Sequence, residues 1–294
     1  MKQKGETLTA YAFLAPVLVV FATLVAFPIL FSAYLSFTKW NFLSGWSGIR
    51  FIGLDNFKDM FTDKTFLCGL RNTFLYAVFS VPASILLSLF IAYVLNRELY
   101  LRKTIRLMFF VPYISSTVAL AAVFKYLFRE KDGLINMFLQ FVMRVENLPR
   151  WLADENLNRI PIIGLLIWTS IGFEMIIYMA ALQNVPKELY ESSDIDGASG
   201  MRKFWKITFP MISPTTFFLS IIRIIAVFKV FTSVNVITYG TSSLGNTSIV
   251  IQIYRDAFGG YKFGYASAEA WVLFAIIFAV TLIQFWGQKK WVHY

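Results

Sequence analysis

Residues 181–214 read ALQNVPKELYESSDIDGASGMRKFWKITFPMISP, a polar interruption between two membrane-length apolar runs, and the rest of the chain is organised around it. Pro186 has no amide proton, so it stops the preceding helix or starts the next at its tolerated first turn. Leu189 and Ile195 then stand as apolar points among Lys187, Glu188, Glu191, Asp194 and Asp196. Gly197 supplies a turn, after which Met201, Phe204 and Trp205 recur at three- and four-residue steps beside Arg202, Lys203 and Lys206. The pattern predicts two short amphipathic helices with a bend between them, built to be held by another protein.

Composition sets the environment. Of 294 residues 57% are hydrophobic and 15% charged, whereas a soluble domain is about half apolar and about a quarter charged. The chain therefore has too few polar groups to face water all round, and its class is membrane protein. The formal charge of +10 would suit nucleic acid, but no aromatic cluster alternates with basic residues as a base-stacking platform requires. Cys68 is the single cysteine, which excludes an intrachain disulfide and a cysteine metal cluster. His293 is the single histidine and reads as part of a solvated tail, so the body of the chain holds no histidine relay or histidine metal site.

Six apolar runs follow in order. Tyr11–Phe37 is longer than the roughly 7–15 apolar residues of a cleaved signal, so it reads as a first span, bent at Pro16 and Pro28. A wet loop, Thr38–Arg71, holds Trp40 and Trp46 and a short interfacial helix with Leu54, Phe57 and Phe61 on one side. The second span is Thr73–Leu95 and the third Leu107–Leu127, with Pro112 near its start and Lys125 snorkelling from its end. Within the loop 128–159, DGLINMFLQFVM is too short to cross a bilayer and reads as a surface or re-entrant helix, followed by an irregular segment around Pro149 and Trp151. The remaining spans are Ile160–Leu182, Phe209–Val236 and Tyr265–Trp286. Trp286 and Trp291 read as a membrane-interface pair, and Trp168 as core or cavity wall.

Six crossings put both termini on one side. The short segments 96–106 and 186–206 each carry four Lys or Arg, a density that marks them, and with them the termini, as cytoplasmic.

Charges within the spans are the candidate functional groups. Glu174 shares a helical face with Ser170 and Tyr178, four residues to either side. A charge at bilayer depth costs about 2.5–3.5 kcal/mol on insertion scales unless it finds a partner or water. Glu174 therefore contacts solute, pairs internally with Arg223, Lys229 or Lys125, or lies nearer the interface. Arg223 continues a face with Thr216 and Ser220, while Lys229 lies on another side near Thr232 and Ser233; each either lines a path or pairs structurally, against a neighbouring subunit for instance. Glu269 reads as interfacial or paired. No GxxxxGK[ST] segment is present to cradle ATP phosphates, so active transport would draw on an ion gradient or on a separate ATPase.

The hairpin carries a sharper resemblance. Asn184, Val185, Pro186, Leu189, Tyr190, Glu191, Ile195, Asp196, Gly197 and Ala198, followed by Phe204, Ile207, Phe209 and Pro210, resemble the EAA motif in the cytoplasmic loop of permease subunits of binding-protein-dependent ABC importers. The likeness is to the carbohydrate branch, similar to maltose and glycerol-phosphate permeases. Ser192 and Ser193 replace the two central alanines, small for small, and Tyr239–Ser243 departs from the Thr-Gly-Gly-Pro-like turn of many relatives. FIGLDNFKDMF at 51–61, GLINMFL at 133–139 and IWTSIGFEMIIYMAALQNVP at 167–186 extend the resemblance over nearly the whole chain.

The resemblance implies an all-α integral membrane protein of the type I ABC importer permease fold, with six transmembrane helices and a cytoplasmic coupling hairpin. It implies a cytoplasmic tail at 1–10 and one permease domain at 11–294 that includes a coupling loop at 184–210. The protein would sit in a prokaryotic plasma membrane as half of the path for a sugar or sugar-derived solute. Its partners would be a second permease, two ATPase subunits using ATP and Mg, and an extracytoplasmic solute-binding protein. This chain would be no enzyme and carry no cofactor of its own. Pro186, Leu189, Tyr190, Glu191, Asp194, Asp196, Gly197, Ala198 and Met201 would couple to the ATPase, with Leu189, Tyr190 and Met201 filling its groove. Glu174, Tyr178, Ser220, Arg223 and Lys229 are the path candidates. The competing class is an ion-gradient-driven secondary carrier, supported by the buried charges alone.

Overall fold

The computed structural model describes residues 2–96, 100–145, 147–238 and 247–292, with side chains from Ala10 onward. Arg97, Glu98, residues 239–243 and His293 lie outside the described residues. Among the described residues, five helical segments are long and apolar enough to cross a bilayer, and a bent pair brings the number up to six. The chain forms two compact units, residues 1–63 with 253–274, and residues 64–252 with 275–294.

In the first unit α1 (Lys2–Phe21) passes through a π turn at Ala22–Ala26 into α2 (Phe27–Ser36). Pro28 has no N–H to return to the carbonyl four residues back, and the widened turn just upstream absorbs that loss. The same grammar recurs at Phe204–Thr208, a π turn immediately before Pro210. After α2, β1 (Thr38–Lys39) pairs antiparallel with β2 (Arg50–Phe51), and α3 (Asp55–Thr62) packs beneath. Leu54 and Phe61 of the expected apolar side are exposed, while Asn56 and Met60 turn inward. The reason is polar, since Asn56 Nδ2 donates to the carbonyls of Ser36 and Thr38, both at 2.9 Å, and fixes the helix rotation. Trp271, in α14 (Phe263–Gln288), donates from Nε1 to Ser32 Oγ at 3.2 Å.

The second unit is a helical bundle centred on α4 (Lys64–Leu95) and α8 (Arg159–Gln183), which share its most extensive interface. Tyr76, Leu165, Met175 and Tyr178 are buried there. The second span starts at Lys64 rather than Thr73, taking in part of the expected loop. Its polar Asn72 is accommodated because the side chain accepts from Arg159 Nε at 2.9 Å and donates to Thr247 O at 3.0 Å.

The third crossing is not one straight helix. Helix α5 (Arg102–Ile114) and α6 (Thr117–Leu127) meet at 100° across Ser115 and Ser116, whose ψ angles of 157° and 121° are extended. Pro112 and the Ser115 hydroxyl, which bonds back to Val111 O at 2.7 Å, weaken the helical ladder at that point. Helix α5 lies directly on α8: a Cβ on Gly172 would fall 2.2 Å from Phe109 O.

In the loop beyond α6, α7 (Leu134–Phe141) is anchored by buried Asn136. Its Nδ2 donates to Glu130 O at 2.9 Å and Pro149 O at 3.0 Å, and its Oδ1 accepts from Trp151 Nε1 at 2.7 Å. The irregular segment expected around Pro149 and Trp151 is thereby tied to the short helix.

Helix α8 leads into α9 (Lys187–Ile195), α10 (Gly200–Lys203) and α11 (Phe209–Phe228). Helix α11 stops eight residues short of the expected Val236, because Lys229 leaves helical geometry and α12 (Thr232–Thr238) begins separately. Ser248 Oγ donates to Val230 O at 3.1 Å, satisfying a carbonyl at that break, just before α13 (Ile249–Tyr254).

Candidate functional site

Two places carry the chemistry expected from the sequence, and both lie in the second unit. The first is the midpoint of α8. Glu174 is 2% exposed there, and its carboxylate is held from two neighbouring helices. Ser84 Oγ on α4 donates to Oε1 at 3.1 Å and Ser88 Oγ to Oε2 at 2.9 Å. Arg223 on α11 places Nε 3.5 Å from Oε1, an ion-pair contact, and donates from a terminal nitrogen to Leu166 O. Desolvating two charges is costly; the two serine bonds and the Leu166 carbonyl offset part of that cost, while Arg223 Nε makes the ion-pair contact without a hydrogen bond among the described residues.

Glu174 and Arg223 border a cavity of about 370 Å³ that also exposes Thr169, Ser170, Tyr113 and Phe173. The last two rings stack with centroids 5.1 Å apart. Of the path candidates, the structure brings Glu174 and Arg223 to this cavity and uses the others elsewhere. Tyr178 is fully buried and donates to Thr216 Oγ1 at 3.1 Å, a bond between α8 and α11. Ser220 accepts from Gln284 Nε2 on α14 at 3.2 Å. Lys229 caps α11 and is exposed. Lys125 reaches inward, with Nζ 3.4 Å from Val236 O on α12, because that helix packs beside α6 and presents a carbonyl within range. Trp168 stacks on Phe124.

In the first unit Glu269 is fully buried, and neither carboxylate oxygen has a hydrogen-bond partner among the described residues. The pairing expected as one alternative for Glu269 is therefore not made by hydrogen bond among the described residues, since α14 turns this face inward.

The serines that hold Glu174 were missed from sequence. Their signal was present: Ser80, Ser84 and Ser88 repeat every four residues along α4, which places them on one face of the helix.

The second place is the hairpin. Pro186 is the N-cap of α9, with ψ 130°, so the helix starts at Lys187. At its far end Gly197 has φ +69°; Gly197 N donates to Asp194 O at 3.1 Å and Ala198 N to Ser193 O at 2.9 Å. These two bonds form a Schellman motif, which closes the helix and turns the chain sharply. Ser199 then caps α10 by accepting from Arg202 N.

The hairpin is braced inside by Tyr190 Oη and Thr208 Oγ1 at 2.8 Å, by Ser193 Oγ to Tyr190 O at 2.7 Å, and by the Lys203–Asp194 ion pair. Tyr190 and Asp194 thus have partners within the hairpin, and Ala198 is half-buried. Glu191 and Asp196 are exposed, as are Leu189, Ile195 at 88% and Met201 at 70%. Among the described residues no group of three or more His, Cys, Asp or Glu is placed to hold a metal ion.

An all-α chain with up to six spans and a bent hairpin leading into α11 has the architecture of a type I ABC importer permease. Residues 84–292 match the family described as binding-protein-dependent transport system inner membrane component, and the chain belongs to that family. It is 34% identical to the probable ABC transporter permease protein YesP of Bacillus subtilis (strain 168), over 99% of this chain and 94% of the relative. It is 30% identical to the lactose transport system permease protein LacF of Rhizobium radiobacter, over 95% and 94% of the two chains. One chain in a crystal structure of a bacterial alginate ABC transporter, in complex with an alginate pentasaccharide-bound periplasmic protein, superimposes with a TM-score of 0.81. At 24% identity, that match covers 98% of this chain and 96% of the other and speaks to the fold. The protein is a multi-pass permease subunit of an ABC importer, in a family of transport proteins rather than of catalytic enzymes.

Proposed function

We propose that this subunit forms half of the translocation path for a sugar or sugar-derived solute, completed by a second, homologous permease. Two ATPase subunits, using ATP and Mg, dock on the cytoplasmic side, and an extracytoplasmic solute-binding protein delivers cargo. Both termini are cytoplasmic. The loop 184–210 is the coupling element and 11–294 works as one permease domain behind a short cytoplasmic tail. Pro186 and Gly197 set its bend, and Ala198 packs at the turn. Leu189, Ile195 and Met201 offer apolar contacts, with Glu191 and Asp196 supplying charge-assisted hydrogen bonds beside them. Tyr190 and the Asp194–Lys203 pair keep the wedge stiff enough to transmit a push into α11.

The observation that carries this reading is the exposed apolar tip of a polar-braced hairpin, which nothing else among the described residues covers. The sugar assignment is supported by relatives such as LacF, whose name refers to lactose transport.

A cysteine placed at Met201, 70% exposed, tests the reading by crosslinking in actively transporting membranes. Capture of an ATP-hydrolysing subunit is expected. Solute uptake by this chain alone on an ion gradient, with no such capture, would overturn it in favour of a secondary carrier.

A further inference from the structure

The hairpin carries a second surface beside its apolar tip. A cavity of about 460 Å³ opens between α9 and the turns that lead into α11, walled by Ser193, Asp196, Arg202, Lys203, Lys206 and Ile207. Leu189, Ile195 and Met201, the exposed tip, do not line it. Its cations are unequally committed. Lys203 is held in an ion pair with Asp194, whereas Arg202 and Lys206 are exposed and have no side-chain partner among the described residues. Asp196 stands in the same wall and makes no ion pair with any of the three among the described residues, so the wall stays positive. Arg202 and Lys206 are four residues apart on consecutive turns, and like charges at that spacing repel. An anion seated between them removes the repulsion.

The surroundings select the anion. Lys206 lies one turn before Phe209, where the apolar helix α11 begins. Trp205, 57% exposed, packs on Phe204 and Phe209 with ring centroids 5.2 and 5.3 Å apart, and Phe204 meets Tyr93, near the end of α4, at 5.5 Å. Aromatic rings gathered where two spanning helices end mark the level of the lipid headgroups. The abundant anion at that level is a lipid phosphate, which basic pockets at cytoplasmic helix ends recognise.

We propose that this pocket seats the headgroup of an anionic phospholipid of the cytoplasmic leaflet, with Arg202 and Lys206 gripping its phosphodiester. A headgroup held there ties the hairpin to the bilayer surface next to the point where it pushes on α11, so that coupling depends on anionic lipid. The inference takes from the proposed function only the cytoplasmic position of the hairpin.

The test uses the purified complex in nanodiscs of phosphatidylcholine, with and without phosphatidylglycerol. Native mass spectrometry reads the phosphatidylglycerol retained by the released complex, and solute-stimulated ATP hydrolysis is measured alongside. Retention, and faster hydrolysis when the anionic lipid is present, are expected. The double variant Arg202→Gln with Lys206→Gln should weaken retention about thirtyfold, about fivefold for each cation removed. Lys187→Gln, which neutralises an exposed cation outside the pocket, should leave retention unchanged. Equal retention by the wild type and the double variant would overturn the inference. So would an equal loss in Lys187→Gln, the mark of diffuse surface attraction, or displacement of the lipid by inorganic phosphate, the mark of a free-anion site. Loss of the Met201 crosslink in the double variant in phosphatidylcholine alone would assign the two cations to the ATPase, overturning the lipid site and leaving the proposed function standing. Absence of that crosslink in the otherwise unaltered complex would instead overturn the proposed function, with lipid retention still scored by itself.

Discussion

Ser88 Oγ in α4 lies 2.9 Å from Glu174 Oε2 in α8, one turn along from the Ser84 contact to the other carboxylate oxygen. Both serines also bond to carbonyls of their own helix, Ser88 to Ser84 O at 2.6 Å and Ser84 to Val81 O at 3.1 Å, so each proton is shared. The carboxylate therefore depends on Arg223 as well, and three helices meet at one side chain.

Removing that side chain should be costly. Glu174→Ala leaves Arg223 buried opposite two serines, and loss of one member of a buried pair costs about 3–5 kcal/mol. Thermal unfolding of the purified complex should show this loss. The double variant Glu174→Ala with Arg223→Met should recover part of it, since the uncompensated charge is gone.

Gly172 is where α5 rests on α8. A methyl group there would stand 2.2 Å from Phe109 O and 2.8 Å from Phe110 Cα. Gly172→Ala should therefore separate the helices and destabilise by about 1–3 kcal/mol or more. The drop should be visible as a lower unfolding temperature and reduced yield of folded protein.

Gly197→Asp should act in a different way. No atom lies within 4 Å of a Cβ at this position, so the penalty is the left-handed backbone at φ +69°, about 1–2 kcal/mol and confined to the turn. Membrane insertion and bundle stability should change little, whereas solute-stimulated ATP hydrolysis should fall sharply. Gly197→Asn, which tolerates that conformation better, should retain more coupling.

Asn136→Ala removes the link between α7 and the segment around Pro149. Two carbonyls and the Trp151 indole lose their partner, at about 1–3 kcal/mol for each group left buried and unpaired. Limited proteolysis should cut within 142–158 faster in the variant, with the spans themselves remaining protected.

The hairpin was legible because its determinants are local. Pro186 cannot donate, Gly197 tolerates positive φ, and Ser199 caps the next turn, all within a stretch of fourteen residues. Span existence was equally legible, since about twenty consecutive apolar residues admit few alternatives. Span ends were less so. The extension of α4 back to Lys64 depends on Arg159 and Thr247 satisfying Asn72, and the end of α11 at Phe228 is met by Ser248. Those partners are distant in the chain, and apolar periodicity does not encode them.

Composition and local pattern were thus sufficient to assign a membrane bundle, the approximate places of its spans and a bent wedge between the fourth and fifth. Tertiary packing alone decided that Glu174 pairs with Arg223 rather than Lys125 or Lys229, that Tyr178 and Ser220 serve contacts between helices, and that the third crossing bends by 100°. Helical spacing tells which residues share a face, but a buried charge is satisfied by whichever donors neighbouring helices bring within about 3 Å, and only their packing selects those donors.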